Sequence, residues 1–137
     1  MIYTNSDFTV LALTLYREAR GEGEQGMLGV GCVIRNRAIT YNKSIYEICT
    51  AKNQFTSMTV HSDPETILWP PVADAAWKSA QDISTKILNI GTQDITGGAL
   101  YYANVAATTS GWFVDNIIRK PTEHPSTGII GHHTFYK

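Results

Sequence analysis

The sequence has no surplus of basic residues: 11 Lys and Arg stand against 12 Asp and Glu, for a net charge of −1. Affinity built on neutralising phosphates needs such a surplus, so a protein that wraps nucleic acid is disfavoured. Cysteine is scarce as well. Cys32 and Cys49 lie in the apolar runs Val-Gly-Cys-Val-Ile and Glu-Ile-Cys-Thr-Ala. Two cysteines make no disulfide framework, and buried free thiols are the expectation. His-Glu-x-x-His and paired-cysteine spacings are missing, so no metal and no cofactor is assigned. No apolar run approaches the ~20 residues of a membrane span, and no stable membrane association is expected. Val10 to Tyr16 is apolar, but Asp7 rather than a basic residue precedes it, and no small-residue cleavage site follows. The expectation is a chain made in a cytoplasm without its own export signal. Repeats, low-complexity tracts and linkers are absent. The length of 137 residues suits one domain with a real core and not two, so 1–137 is read as a single domain, expected to be a monomer.

What is present begins with a stripe. Phe8, Leu11 and Leu15 recur at three- and four-residue spacing, one face of an amphipathic helix. The next positions on that stripe are Glu18 and Glu22. A glutamate that continues a core-facing stripe is partly desolvated, which disfavours its charged form. A carboxylic acid that keeps its proton near neutral pH is what a general acid requires. The competing reading is a helix C-terminus dressed with polar residues, with Gly21 at C′. A two-carboxylate glycosidase pair fits poorly. Residues four apart on a helix lie about 5–6 Å apart on one side, whereas glycosidase carboxylates flank the scissile bond. One essential acid with a helper is the better reading.

The first two-thirds of the chain reads as helical. A first helix is expected from Phe8 to Arg20, with Asp7 or Ser6 as N-cap. Gln25 to Arg37 fits strand alternation and helical spacing equally, and its length favours helix. Gly26, Gly29 and Gly31 would weaken that helix alone, so close packing, against the first helix, is expected of them. Ser44-Ile-Tyr-Glu47 is a capping box opening a short third helix to about Ala51. Asn53 to Pro70 reads as a long loop. Pro71 suits the first turn of a fourth helix, which Gly91 ends. From Thr96 the grammar changes. Gly97-Gly98 is a turn, and Ala99 to Val105, Gly111 to Val114 and Ile129 to Tyr136 read as strands. The fold class expected is α+β, mainly helical, with a small β-region in the C-terminal third.

Within Ala99-Leu-Tyr-Tyr-Ala-Asn104, adjacent tyrosines on a strand point to opposite faces. One of Tyr101 and Tyr102 can pack inward while the other lines a groove, where a tyrosine face stacks on a sugar. A plain aromatic pair in a sheet explains the same residues. Gln54, beside Phe55, has the chemistry to hydrogen-bond an acetamido group, as does any solvated loop glutamine. His132-His133 alternates faces too. A cysteine–histidine peptidase built from Cys49 or Cys32 with His133 is weaker, because neither cysteine has an electropositive, exposed setting.

Four blocks then carry a resemblance. Leu11-Ala12, Glu18-Ala-Arg-Gly-Glu22, Gln25-Gly and Val30-Gly-Cys-Val-Ile-Arg-Asn-Arg37 are followed in order by Asn53-Gln-Phe-Thr56. Gly97-Gly-Ala-Leu-Tyr-Tyr-Ala-Asn104 and Ile130-Gly-His-His-Thr-Phe-Tyr136 complete the series. Over about residues 8–136 the chain resembles the SleB-like cell-wall hydrolases, which include spore-cortex-lytic enzymes. The resemblance implies a two-lobed fold of the lysozyme and lytic-transglycosylase type and cleavage of peptidoglycan glycan strands. It places the catalytic glutamate at Glu18. The stacking and hydrogen-bonding side chains of the same blocks, Glu22, Gln54, Phe55, Tyr101, Tyr102, Asn104 and His133, are the expected substrate-binding residues. Two departures stand out: Arg17 where the family usually has Gly before the glutamate, and Val105 where it often has Pro. Combined with the missing export signal, the resemblance suggests a phage endolysin, the alternative being an excised domain of an exported bacterial enzyme. A catalytically silent peptidoglycan-binding module remains the competing function.

Overall fold

The computed structural model describes residues 2–51, 55, 69–89 and 91–137. Helix α1 spans Asn5–Ala19, three residues ahead of the expected start. Thr4 is its N-cap: the Thr4 hydroxyl accepts from the Asp7 N–H at 3.2 Å, and the Asp7 carboxylate accepts from the Thr4 N–H at 2.9 Å. Asp7 is therefore the reciprocal partner of a capping box and not the cap itself. Its second oxygen accepts from the Tyr46 N–H at 2.9 Å, tying α1 to α3. A 3-10 turn, Arg20–Glu22, leads into α2, Gly23–Tyr41. Helix α3, Ile45–Thr50, opens on the Ser44/Glu47 capping box read from sequence. Helix α4, Ala75–Ile87, starts four residues after Pro71. Asp74 outcompetes the proline as a start signal by accepting from the Ala76 and Trp77 N–H groups at 2.8 and 3.4 Å.

Leu11 and Leu15 of α1, Val30 and Ile34 of α2, Ile45 of α3 and Ile87 of α4 are wholly buried in one cluster. Each such side chain contributes about 1.5–3 kcal/mol when removed from water. The glycines of α2 permit this packing, but chiefly not against α1 as expected. A Cβ at Gly31 would meet Ile87 Cγ1 of α4 at 2.7 Å, and one at Gly29 would meet the Phe135 ring at 2.8 Å. Gly26 lies against Glu22.

The last third departs further from expectation. Strand β1 is only Tyr101–Ala103, because the Asn104 carbonyl turns the chain by accepting from Ala107 and Thr108 N–H at 3.1 and 2.9 Å. Residues 111–114 are not a strand. A helical turn α5, Gly111–Phe113, runs into a π-helical turn, Val114–Ile118. Ser110 caps it by accepting from the Phe113 N–H at 3.2 Å, and Asp115 pairs with Arg119 at 3.1 Å one turn on. Ile129–Tyr136 is not one strand but the greater part of a hairpin: β2, Ser126–Ile130, and β3, His133–Tyr136. The reversal falls at Gly131, whose φ of 59° is left-handed. The antiparallel sheet has the order β1-β3-β2, with Tyr102 opposite Phe135 and Ile130 opposite His133. Phe135 seats it on α2. Among the described residues no helix is long and apolar enough to cross a membrane.

Candidate active site

Glu18 occupies the last turn of α1 and is half-buried, where the apolar stripe gives way to the surface. The sheet comes to meet it. Burial pushes the Tyr102 phenol above its ordinary pKa, and the Glu18 charge pushes the same way. The His133 imidazole is held below its ordinary value, first by burial; Glu22 and Glu18 oppose that and His132 adds to it. Near neutral pH the face toward Glu18 thus presents a neutral phenol and a neutral imidazole. The two rings lie 4.9 Å apart. His133 is buried, and its Nδ1 has no hydrogen-bond partner among the described residues.

Glu22 does different work. Its carboxylate accepts from the His132 N–H at 3.1 Å and faces His132 Nδ1 at 3.3 Å. These contacts hold Glu22 below the usual carboxylate range: the backbone bond from His132 leads, burial opposes it, and the charges and ring of His132 and His133 assist. A Cβ at Gly131 would come within 2.8 Å of the same carboxylate, so the turn needs glycine for space as well as for φ. Glu22 bolts the hairpin to the end of α1, and through it sets where His133 and Tyr102 stand. It does not line the cleft described next.

That cleft, of about 620 Å³, runs along β1 and is lined by Arg37, Phe55, Tyr101, Tyr102, Trp112 and Phe113 among others. Both tyrosines line it, and Tyr102 is the one that also packs inward against the core. Arg37 organises its floor. Its Nε donates to the Leu100 carbonyl at 2.6 Å. Its guanidinium lies 5.7 Å from the buried Phe55 ring and 5.6 Å from the Tyr101 ring, distances at which cation and ring attract. The preceding residues hold the same seam. Arg35 donates to the Ile87 carbonyl at 3.3 Å, and Asn36 donates to Asp94 and to the Ala99 carbonyl, each at 3.0 Å. A second space of about 310 Å³ adjoins the cleft and shares Arg37, Tyr101 and Trp112 with it.

Of the residues expected at the site, the structure brings Phe55, Tyr101 and Tyr102 into the cleft and His133 against Tyr102. Asn104 ends β1, with its carbonyl spent on the following turn. Gln54 lies outside the described residues. Trp112 and Phe113 were missed because Gly-Trp-Phe-Val reads as a strand. The usable signal in the sequence is Ser110 as a helix cap. Cys32 and Cys49 are free and buried, as expected. Burial raises both thiols, Cys49 to about 12. Neither supplies a thiolate near neutral pH, which removes the basis of the cysteine–histidine alternative. No cluster that would hold a metal occurs among the described residues.

The chain as a whole is similar to known proteins. The catalytic domain of the germination-specific lytic transglycosylase SleB from Bacillus anthracis superposes with a TM-score of 0.75 at 28% identity, covering 98% of this chain and 97% of that one. The SleB catalytic domain from Bacillus cereus matches at 0.69 and 29% identity, over 99% and 93% of the two chains. The fold is therefore that of the SleB catalytic domain, a lysozyme-like fold. Spore cortex-lytic enzymes of Oceanobacillus iheyensis and Halalkalibacterium halodurans are 29% and 28% identical over 98% and 97% of this chain. The chain spans 43% and 35% of their lengths. The cell wall hydrolase family model matches residues 21–136, from the residue before Glu22 to the end of β3. The chain belongs to the cell wall hydrolase family.

Proposed function

We propose that the protein cleaves the glycan strands of peptidoglycan between N-acetylmuramic acid and N-acetylglucosamine, with Glu18 as the catalytic acid. One observation carries the reading. A half-buried glutamate at a helix end lies close enough for its charge to act on Tyr102, which also walls an aromatic cleft along β1. Tyr101, Tyr102 and Trp112 offer faces on which sugar rings stack. Glu18 donates its proton to the glycosidic oxygen and then, as carboxylate, takes one back. Among the described residues no second carboxylate is assigned to the opposite side of the bond, and in this reading the proton returned comes from the muramic 6-hydroxyl. That oxygen closes on C1 and leaves a 1,6-anhydromuramic end. Tyr102 and His133, neutral near neutral pH, bring no charge of their own to the face toward Glu18.

The structural match to excised catalytic domains supports a catalytic part of a longer exported enzyme as the setting. Lysis of a phage-infected host by an endolysin is the second setting, and action as a monomer without membrane association belongs to either. Digestion of purified peptidoglycan in heavy-oxygen water tests the chemistry. Unlabelled anhydro ends are expected in the mass spectrum. Label in new reducing ends would make the protein a hydrolytic muramidase, and binding without any cleavage would make it a peptidoglycan-binding module.

A further inference from the structure

Beside the cleft lies the smaller space of about 310 Å³, a branch that shares Arg37, Tyr101 and Trp112 with it and is also lined by Tyr41, Lys43 and Ala51. A linear polysaccharide needs one channel and has no use for a side arm. A glycan with a substituent on alternate sugars does. The branch is small, at the bottom of the ~300–1,000 Å³ range of ligand clefts, so its occupant is short. Its chemistry is amphipathic. Tyr41 and Tyr101 share a hydrogen bond between their side chains and with Trp112 and Ile48 give apolar walls. Lys43 and Arg37 supply positive charge. The acid of the branch, Glu47, is turned to its own helix, where its carboxylate accepts from the Ser44 N–H at 2.8 Å. The field left over is positive.

We infer that this branch receives a short acidic peptide attached to the glycan, the peptide substituent of the muramic residue, with Lys43 facing its carboxylate. The inference rests on the glycan-cleaving reading and assigns the peptide-bearing form of the strand as the preferred substrate. Lys43 lines the branch and is exposed. Its pairing is therefore worth only what an exposed ion pair is worth, a factor of about two to five.

Two measurements test it separately from the reading beneath it. The first is binding, which needs no cleavage. N-acetylmuramyl-L-alanyl-D-glutamate and plain N-acetylmuramic acid are titrated into isotopically labelled protein. The peptide-bearing compound is expected to shift the amides of Tyr41, Lys43 and Ala51, and the plain sugar is not. Equal shifts from both, or none at the branch from either, overturn the proposal whether or not the protein is an enzyme. The second is kinetic. Strands with and without their peptides, the latter stripped by an amidase, are compared. Wild type is expected to show a KM about two to five times lower on the peptide-bearing strands at equal kcat, and Lys43→Gln is expected to erase the difference. A preference that survives Lys43→Gln, or none in wild type, overturns the proposal. Cleavage of neither strand, with the amide shifts present, removes the proposed enzymatic function and leaves the branch as a peptide site.

Discussion

The helical two-thirds and the β-rich third are held by different forces. Helices α1, α2 and α4 share wholly buried aliphatic side chains. The sheet has a much smaller buried set, centred on Val33, Ala99 and Phe135. It is fastened instead by polar groups reaching out of the helical part: Asn36 and Arg37 to the approach to β1, and Glu22 to the hairpin turn. Burial is non-directional and tolerant, whereas hydrogen bonds hold at one distance and one angle. The division of labour suits a site made from both parts. The proposed acid, Glu18, stands on the well-packed element, and the aromatic wall along β1 is aligned by bonds that fix position. Damage to the first region is expected to read out as lost stability, and damage to the fasteners as lost activity.

The largest effect expected is Glu18→Gln. The amide keeps the size and loses the transferable proton, so the rate of glycan cleavage should fall by roughly 10²–10⁴-fold with the melting temperature unchanged. Cell clearing at the wild-type rate would remove Glu18 from the mechanism. Leu15→Ala comes next and tests the other half of the comparison. The side chain is wholly buried, and a cavity there should cost about 2–5 kcal/mol. Chemical denaturation is the measurement, and a loss under 1 kcal/mol would mean the helical core is not packed as described.

Two glycines sharpen the contrast, because alanine meets nearly the same obstacle at each. At Gly31 the new Cβ collides with Ile87 at 2.7 Å, and at Gly29 with Phe135 at 2.8 Å. Overpacking of this kind costs about 1–3 kcal/mol, partly offset by alanine's better helix propensity of about 1 kcal/mol. Gly31→Ala should lower stability while the surviving folded fraction cleaves normally. Gly29→Ala should push the sheet off α2 and lower specific activity at least as much as stability. Identical profiles for the two variants would erase the distinction between core and fastened wall.

The same contrast explains what could be read from the sequence. Helices bury a stripe with a period of 3.6, and Leu11 and Leu15 announced α1, with Glu18 next on the same stripe. The Ser44/Glu47 capping box announced α3. Such signals are local. The β-third is specified by distant partners. Nothing near Glu22 says that its carboxylate meets the turn at His132, 110 residues on. The string Ile129–Tyr136 hides its reversal because Gly131 looks like one more residue in an apolar run. Gly-Trp-Phe-Val at 111–114 has strand composition, and Ser110 decided otherwise by capping. The second compartment of the cleft was invisible, since Arg37, Lys43 and Trp112 meet only in three dimensions.

Glu22 separates fastening from chemistry. Glu22→Gln keeps one carbonyl oxygen to accept from the His132 N–H, so cleavage should fall only a few-fold, on the order of the ~1 kcal/mol of one weakened bond. Glu22→Ala frees the turn and should cost more activity than stability. A loss at Glu22→Gln equal to that at Glu18→Gln would point to two carboxylates sharing the chemistry, and the fastening role would be withdrawn.

The smallest effect is in the pH dependence, and it should show the fasteners failing before the core. Glu22 and Asp94 are both held below the ordinary carboxylate range. For Asp94, burial works the other way but is outweighed by bonds from Thr96, Asn36 and Gly98. A carboxylate with a depressed folded pKa contributes stability that is present above its unfolded value, about 4. That contribution is lost as pH falls through the folded value, because the unfolded chain then binds more protons. His133 acts in the same direction from higher up. Its folded value is depressed, so the unfolded chain takes up a proton first, from about pH 6.5 downward. Acidification should therefore weaken the β-third in two stages, first below about 6.5 through His133 and then below about 4 through Glu22 and Asp94. Near-ultraviolet circular dichroism of the tyrosines on β1 should change ahead of the far-ultraviolet helix signal. His133→Gln should abolish the upper stage and leave the lower one. A single acid transition in which both signals move together, unaltered by that substitution, would mean that sheet and helices stand or fall as one unit.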